Sequence, residues 1–208
     1  MSEIQFQTGP NNFVFEVLKS TSNNIPDIDK NCVLMFDEVK IDNSFFYDIR
    51  HQQLFGFEDL GHLGRTSRRA DSALVFMIRG IHQNYKQVVG YYFTSKFFTA
   101  QYLKLLIVEM ISKLFSIGFN VRATVCDQAA TNRSALSLLC FESKIPNSSD
   151  KFLVENHPIY VMFDVPHLLK STRNALLTCK LEYKPNQFAL FSHIQKQTIL
   201  ITKIPFLK

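Results

Sequence analysis

Two aspartates stand where apolar segments of the chain end, and their chemistry suits a divalent cation. Asp37 follows the apolar residues 33–36, and Asp127 follows the largely apolar residues 121–126. A carboxylate at the end of a buried strand is costly unless a positive charge or a hydrogen-bond donor meets it. Two such acids on adjacent strands offer oxygen ligands to a hard divalent cation. That arrangement is the start of a two-metal phosphoryl-transfer centre, which usually needs a third acid.

Each aspartate also has a purely structural interpretation. Asp37 fits a strand-end acid satisfied by backbone amides, and Asp127 fits the cap of a short helix over residues 132–139. Neighbouring residues of a strand point to opposite faces. The pattern around Asp37 therefore predicts that it is the more enclosed acid and that Glu38 is solvated.

The elements that must position these acids follow a simple order along the chain. Short apolar runs predict strands, and a three- and four-residue apolar spacing after Thr99, ending at Gly118, predicts a helix. The predicted strands cover residues 33–41, 73–78, 88–93, 121–126 and 157–164, and further helices cover residues 132–139 and 166–177. Strands come first and then alternate with helices, which implies parallel strands joined by crossovers. An antiparallel meander that feeds a parallel half is an α/β, ribonuclease-H-like architecture.

Composition allows a compact core but says little about partners. Of the 208 residues, 46% are hydrophobic and 20% are charged, which argues against a largely disordered protein. The net charge of +5 leans only weakly toward anionic partners such as nucleic acid. The four cysteines form no C-x-x-C pair and no zinc-ligand spacing, and no secretory signal or bilayer-spanning run is visible. These features predict a soluble intracellular protein without a membrane partner.

Several segments, in order along the chain, carry a resemblance to a known family. They are Phe-Asp-Glu-Val-Lys-Ile at 36–41, Gly-Phe at 56–57, Ala-Leu-Val-Phe-Met-Ile-Arg-Gly at 73–80, Lys-Gln-Val-Val-Gly-Tyr-Tyr-Phe at 86–93, Val-Cys-Asp-Gln at 125–128 and Phe-Asp-Val-Pro-His-Leu-Leu-Lys-Ser-Thr-Arg-Asn at 163–174. Together, from about Cys32 to Leu177, they resemble the P-element transposase family, including its THAP-domain-containing relatives.

The resemblance implies a ribonuclease-H-like catalytic core in which a D-D-E triad binds divalent metal for DNA cleavage and strand transfer. Asp37 matches the first acid and Asp127 the second, with Mg²⁺ or Mn²⁺ as the cofactor. DNA is then the expected partner and the nucleus the expected location. Full-length transposase, or a second copy of the chain, is a further candidate partner.

The family also carries a guanine-nucleotide-binding domain inserted after the strand that ends at Asp164. The resemblance therefore places Asp164, His167 and Lys170 next to the nucleotide, which would be GTP, or next to the active site. A helix-capping and packing role is the alternative for these residues.

The implied domain division is a linker or the tail of a missing region over residues 1–30, a core over residues 31–166 and a truncated insertion domain over residues 167–208.

The chain departs from the family pattern in ways that make its enzymatic activity uncertain. No zinc-coordinating THAP module is recognisable, and no glutamate follows Glu182 to complete the triad. The sequence therefore predicts a C-terminally incomplete core that binds Mg²⁺ or Mn²⁺ weakly and does not complete transposition. The alternatives are a non-catalytic regulator that binds DNA or transposase, and an inert remnant of a transposable element.

A basic cluster offers a second candidate site. Arg65, Arg68 and Arg69, with His62, fall in a predicted polar loop over residues 58–71 and could bind DNA phosphates. The alternative is an ordinary solvated loop.

Overall fold

The computed structural model of the chain describes residues 8–49, 52–146, 148–189 and 192. These residues form two compact units, one up to Phe163 and the other from Asp164 onward. The strands of the first unit are β1 (Gly9–Pro10), β2 (Asn31–Lys40), β3 (Phe46–Asp48), β4 (Gln53–Phe55), β5 (Phe57–Asp59), β6 (Arg65–Arg69), β7 (Ser72–Gly80), β8 (Lys86–Thr94), β9 (Asn120–Cys126), β10 (Lys151–Val154) and β11 (His157–Phe163). Its helices are α1 (Asn12–Ser22), α2 (Ala100–Ser116) and α3 (Ala130–Ser143).

One mixed sheet organises the first unit. Its strands lie in the order β10-β11-β9-β2-β7-β8-β5-β6, and β1 pairs with β8. The β2-β7-β8 meander is antiparallel, whereas β9 pairs parallel with both β2 and β11. Helix α2 connects β8 to β9, and α3 lies between β9 and the β10-β11 hairpin. This order confirms the predicted meander followed by a parallel half with helical crossovers.

The hydrophobic core lies on one face of this sheet. Phe76 is fully buried in β7, with its ring 5.6 Å from that of Phe36 on β2 and 5.8 Å from that of Tyr92 on β8. Helix α2 covers this face with six buried side chains at the predicted spacing: Leu103, Leu106, Ile107, Met110, Ile111 and Leu114. The Thr99 hydroxyl accepts the Tyr102 amide at 3.5 Å, so Thr99 caps the helix as predicted.

The amino-terminal region contains a short strand and a helix that packs on the core. Helix α1 begins after Asn11, whose side chain accepts the Val14 amide at 3.2 Å. Phe15 and Leu18, three residues apart on α1, are buried in the main core. The turn-forming residues around this helix therefore act as its boundaries, and residues 8–22 belong to the first unit. Residues 1–7 of the predicted linker lie outside the described part.

The polar loop predicted over residues 58–71 contains strand β6 and part of β5. Its sequence shows no apolar alternation, because the exposed side chains of Arg65, Arg68 and Arg69 each lie over a phenylalanine ring. Cation–π contacts of this kind let a strand with few apolar residues pack at the edge of a sheet.

The second unit begins with helix α4 (Val165–Thr178), followed by the antiparallel hairpin of β12 (Leu181–Lys184) and β13 (Gln187–Ala189). Its first residue is Asp164, whereas the sequence placed the domain boundary after residue 166. Residues 190, 191 and 193–208 of the predicted insertion domain lie outside the described part. No helix among the described residues has the length and apolarity needed to cross a membrane.

Burial makes a simple prediction for thiol chemistry. Cys32 on β2 is fully buried, and this burial raises the pKa of its thiol to about 12, whereas Cys179 is exposed. Because the thiolate is the reactive form, Cys32 should stay unmodified by iodoacetamide at pH 8 while Cys179 reacts. Peptide mass spectrometry after timed labelling measures this. Equal labelling of both residues in the folded chain would contradict the buried position of β2.

Candidate functional site

The two predicted ligands lie side by side at one edge of the sheet. Strands β2 and β9 are parallel, with Met35 opposite Val125. Asp37 lies two residues after Met35 inside β2, and Asp127 lies two residues after Val125 and directly follows β9. Both acids therefore lie toward the same end of neighbouring parallel strands. The pKa of the Cys126 thiol responds to both carboxylates. Burial is the main cause that raises this pKa to about 12, and the negative charges of Asp127 and Asp37 raise it further.

Each aspartate is held by one oxygen and leaves the other unused. Asp37 Oδ1 accepts the Glu38 amide at 2.8 Å. Asp127 Oδ1 accepts the Ala129 amide at 2.9 Å and the Asn132 side-chain amide at 2.7 Å. Among the described residues, neither Oδ2 accepts a hydrogen bond or meets a basic side chain. The arrangement thus orients both carboxylates while leaving an oxygen of each for another ligand.

The capping alternative for Asp127 is only partly realised. Helix α3 begins at Ala130, its capping position is occupied by Ala129, and no side chain caps it. Asp127 lies two residues earlier, and its contact with Asn132 in the first turn of α3 joins the acid to the helix. Asp127 is therefore a loop residue at the end of β9.

The prediction that Asp37 is enclosed is wrong, because Asp37 and Glu38 are both exposed, as predicted only for Glu38. The buried side chains of β2 are Cys32, Leu34 and Phe36, so the core face carries the even-numbered residues, and Glu38 extends that row. Burial raises the pKa of the Glu38 carboxyl, a hydrogen bond from Thr94 opposes the rise, and the charges of Asp71 and Asp127 add to it. The sequence pattern was correct about the two faces but could not tell which one the helices cover.

Charge at this edge is unevenly neutralised. Lys40 Nζ lies 3.3 Å from Asp71 Oδ1 and 2.9 Å from the Ser72 hydroxyl, so Asp71 has a cation partner. Asp37 and Asp127 have none among the described residues. A divalent cation would relieve the repulsion between the two negatively charged carboxylates. Carboxylate oxygens are ligands of the kind that Mg²⁺ and Mn²⁺ prefer.

The fit to a metal is nevertheless partial. Within the described part of the chain, no three His, Cys, Asp or Glu side chains come close enough together to hold an ion. The residues present fit two ligands of a site whose remaining ligands are water or groups outside the described residues.

The three arginines of β6 do not form one cluster. Arg69 is opposite Phe57 and Arg65 is opposite Asp59 in the β5-β6 ladder, so both lie on the face of these odd-numbered residues. There Arg65 lies 4.8 Å over Phe57, and Arg69 lies 4.6 Å over Phe45. Arg68 points the other way, and a single DNA phosphate cannot contact all three.

Arg68 meets a buried acid on the core face. Glu58 is only 2% exposed, and its two oxygens accept the Thr66 hydroxyl at 2.8 Å and the Ser95 hydroxyl at 2.7 Å. Arg68 Nη1 lies 3.8 Å from Glu58 Oε2, and its guanidinium lies 4.7 Å over the Phe97 ring. The sequence analysis did not predict the contact between Glu58 and Arg68. The alternation along a strand does place Glu58 on the sheet face that Phe57 and Asp59 do not occupy.

Asp164, His167 and Lys170 belong to the second unit and share one face of α4 at three-residue spacing. Asp164 is the N-cap of this helix: its Oδ2 accepts the His167 amide at 3.4 Å and lies 4.0 Å from His167 Nε2. The capping alternative is thus realised for Asp164. Lys170 is exposed.

Comparison with known proteins identifies what this geometry is similar to. The family model described as TNP-like, RNase H N-terminal domain matches residues 6–140. The Transposable element P transposase of Drosophila melanogaster is 28% identical over 180 residues, which are 84% of this chain and 20% of that protein. The solved Drosophila P element transposase strand transfer complex superposes with a TM-score of 0.73 at 25% identity, covering 97% of this chain and 41% of that one.

These matches confirm the ribonuclease-H-like fold class and the resemblance drawn from the sequence motifs. The chain spans only a fifth of the length of the curated relative and less than half of the solved chain.

Proposed function

Because this chain belongs to the TNP-like RNase H N-terminal domain family and is a relative of the P-element transposases, we propose that it forms the metal-ligating, DNA-binding part of a phosphoryl-transfer centre. The observation that carries the proposal is the pair of carboxylates, Asp37 in β2 and Asp127 directly after the parallel strand β9, with one unused oxygen each. A bound Mg²⁺ or Mn²⁺ would supply Lewis-acid stabilisation of charge on the phosphoryl oxygens.

The surrounding residues have supporting roles in this proposal. The Glu38 amide and Asn132 orient the two carboxylates through their Oδ1 atoms, which fixes the separation of the unused Oδ2 atoms. Glu38 and Asp71 add negative charge near the pair, which favours a cation over an anion at this edge. DNA backbone would then approach along the basic residues of the sheet, because its phosphates are repelled by the acids unless a cation lies between them.

Binding of a fluorescein-labelled DNA duplex, followed by anisotropy with and without Mn²⁺, tests this function. We expect salt-sensitive binding that Mn²⁺ strengthens severalfold, and we expect Asp37→Asn to remove the gain from Mn²⁺ while keeping the binding without metal. No association of the chain with DNA at low salt would overturn the proposal.

A strand-transfer assay distinguishes a chain that supplies only two metal-ligating acids from a complete enzyme. We expect no strand transfer from this chain alone, since only two of the acids are in place among the described residues. Strand transfer that Asp37→Ala abolishes would contradict this expectation.

Three other expectations from the resemblance remain proposals. They are guanine-nucleotide binding by the unit that begins at Asp164, association with full-length transposase or a second copy, and a nuclear location. The two compact units and the capped start of α4 are compatible with an insertion that begins there.

A further inference from the structure

Two cations lie against the ring of Phe97, which is in the segment between β8 and α2; Lys96 comes from the same segment and Arg68 from β6. Phe97 is 53% exposed, the Arg68 guanidinium lies 4.7 Å from its ring centre and Lys96 Nζ lies 5.1 Å from it. The Arg68 side chain is itself 53% exposed. Within the described part of the chain, Lys96 Nζ has no carboxylate partner. Two exposed cations that share a ring and are not both neutralised by acids form a small anion-binding surface.

Buried groups fix this surface in place. The Ser95 hydroxyl donates to Glu58 at 2.7 Å and accepts the Phe97 amide at 3.2 Å. The Lys96 backbone is among the groups that lower the pKa of the nearby Asp71 carboxyl, against the effect of burial. Because Glu58 lies beneath both the segment and Arg68, its carboxylate holds the ring and the guanidinium in one arrangement. An ordinary solvated lysine–arginine pair has no such support.

The surface lies at the same edge of the sheet as the two aspartates. Strand β8 is antiparallel to β7, which is antiparallel to β2, so β2, β8 and β9 all end at this edge. Thr94, the last residue of β8, donates to Glu38 at 3.4 Å. Across β7, Thr94 is level with Lys40, so the segment that follows β8 begins three residues beyond Asp37 in the strand direction.

We propose that Arg68 and Lys96, held on the ring of Phe97, bind a phosphodiester of the DNA strand that runs toward Asp37 and Asp127, and that Glu58 is the positioning residue for Arg68. This inference rests on the proposed function and assigns the DNA contact beyond the end of β8 to Arg68 and Lys96. Arg65 and Arg69 lie on the other sheet face, which they share with Asp37.

Salt dependence of DNA binding tests the assignment. We expect Arg68→Ala and Lys96→Ala each to weaken binding of a labelled duplex by about tenfold at low salt. Each should also reduce the slope of log K against log salt by about 0.9, which is one phosphate contact. Arg79→Ala is the matched control, because Arg79 is exposed near the end of β7, at the opposite edge of the sheet. It should leave the slope unchanged.

The outcomes separate the two proposals. If the parent chain does not bind DNA at low salt, the proposed function fails. If it binds but Arg68→Ala and Lys96→Ala keep the parent slope, or Arg79→Ala loses as much, only the present inference is overturned. Millimolar dTMP as a competitor distinguishes a strand from a free nucleotide: we expect little displacement, and full displacement would reassign the surface to a mononucleotide anion and overturn the strand assignment.

A double-mutant cycle tests the role of Glu58. Glu58→Gln retains groups for Thr66 and Ser95 but removes the charge that faces Arg68. We expect about threefold weaker DNA binding in the parent background and no further loss in the Arg68→Ala background. An equal, additive loss in both backgrounds would mean that Glu58 supports the fold without positioning Arg68.

Discussion

Replacing Phe76 with alanine is expected to lower the free energy of unfolding by about 3–5 kcal/mol, the usual cost of truncating a buried phenylalanine. Phe76 is fully buried at the centre of the meander and contacts the rings of Phe36 and Tyr92, so the cavity would be bounded by rigid aromatic neighbours. Such a site cannot collapse easily, which places the loss in the upper part of the range. Urea unfolding followed by circular dichroism measures it.

Val75 supplies the matched control for this prediction. It precedes Phe76 on β7, points to the opposite face and is only partly buried. We expect Val75→Ala to cost no more than about 1 kcal/mol, because less apolar surface is removed from contact. Equal losses from the two substitutions would mean that the core is not confined to the helix-covered face of the sheet.

Removing either aspartate is expected to weaken Mn²⁺ binding by at least about tenfold, or about 1.4 kcal/mol. Each of Asp37 and Asp127 supplies one negative charge, and the attraction between a carboxylate and a dication in contact exceeds this value even in water. Asp37→Asn and Asp127→Asn keep the size of the side chains and remove the charge. Isothermal titration calorimetry of each variant gives the affinity.

The same substitutions should have the opposite effect on the metal-free chain. Because the two carboxylates repel each other across adjacent strands, either asparagine should raise the melting temperature without metal and reduce the further rise caused by Mn²⁺. Asp29→Asn is the control, since Asp29 lies just before β2 at the other edge of the sheet. If Asp29→Asn lowered the affinity as much as Asp37→Asn, the metal would not be held at the predicted edge.

Much of the fold could be predicted from the sequence, because helices and strands with a buried face leave a periodic pattern of apolar residues. The apolar spacing of α2 and its Thr99 cap, the runs of β2, β7, β8 and β9, and their order along the chain all predicted elements that the structure contains. Strand β6 was not predicted, because its arginines pack on the aromatic rings of residues outside the strand. Such contacts leave no periodic apolar signal.

The candidate site was predictable in its acids but not in its surroundings. Asp37 and Asp127 each follow an apolar run that the sequence shows directly, although β2 continues three residues beyond Asp37. The position of Glu38 on the core face depends on which sheet face the helices cover. The link between Glu58, Ser95 and Arg68 joins three parts of the chain that only folding brings together. The separation of Arg68 from Arg65 likewise depends on the β5-β6 register.

Paramagnetic relaxation by Mn²⁺ in the NMR spectrum of the ¹⁵N-labelled chain is the most direct test of the paired-aspartate site. We predict that substoichiometric Mn²⁺ first broadens the amide signals of Asp37, Glu38, Cys126 and Asp127, and that Asp127→Asn removes this selective broadening. Broadening centred instead on exposed acids elsewhere, such as Asp27 or Asp150, with these four signals unaffected, would contradict the claim that the two strand ends form a metal site.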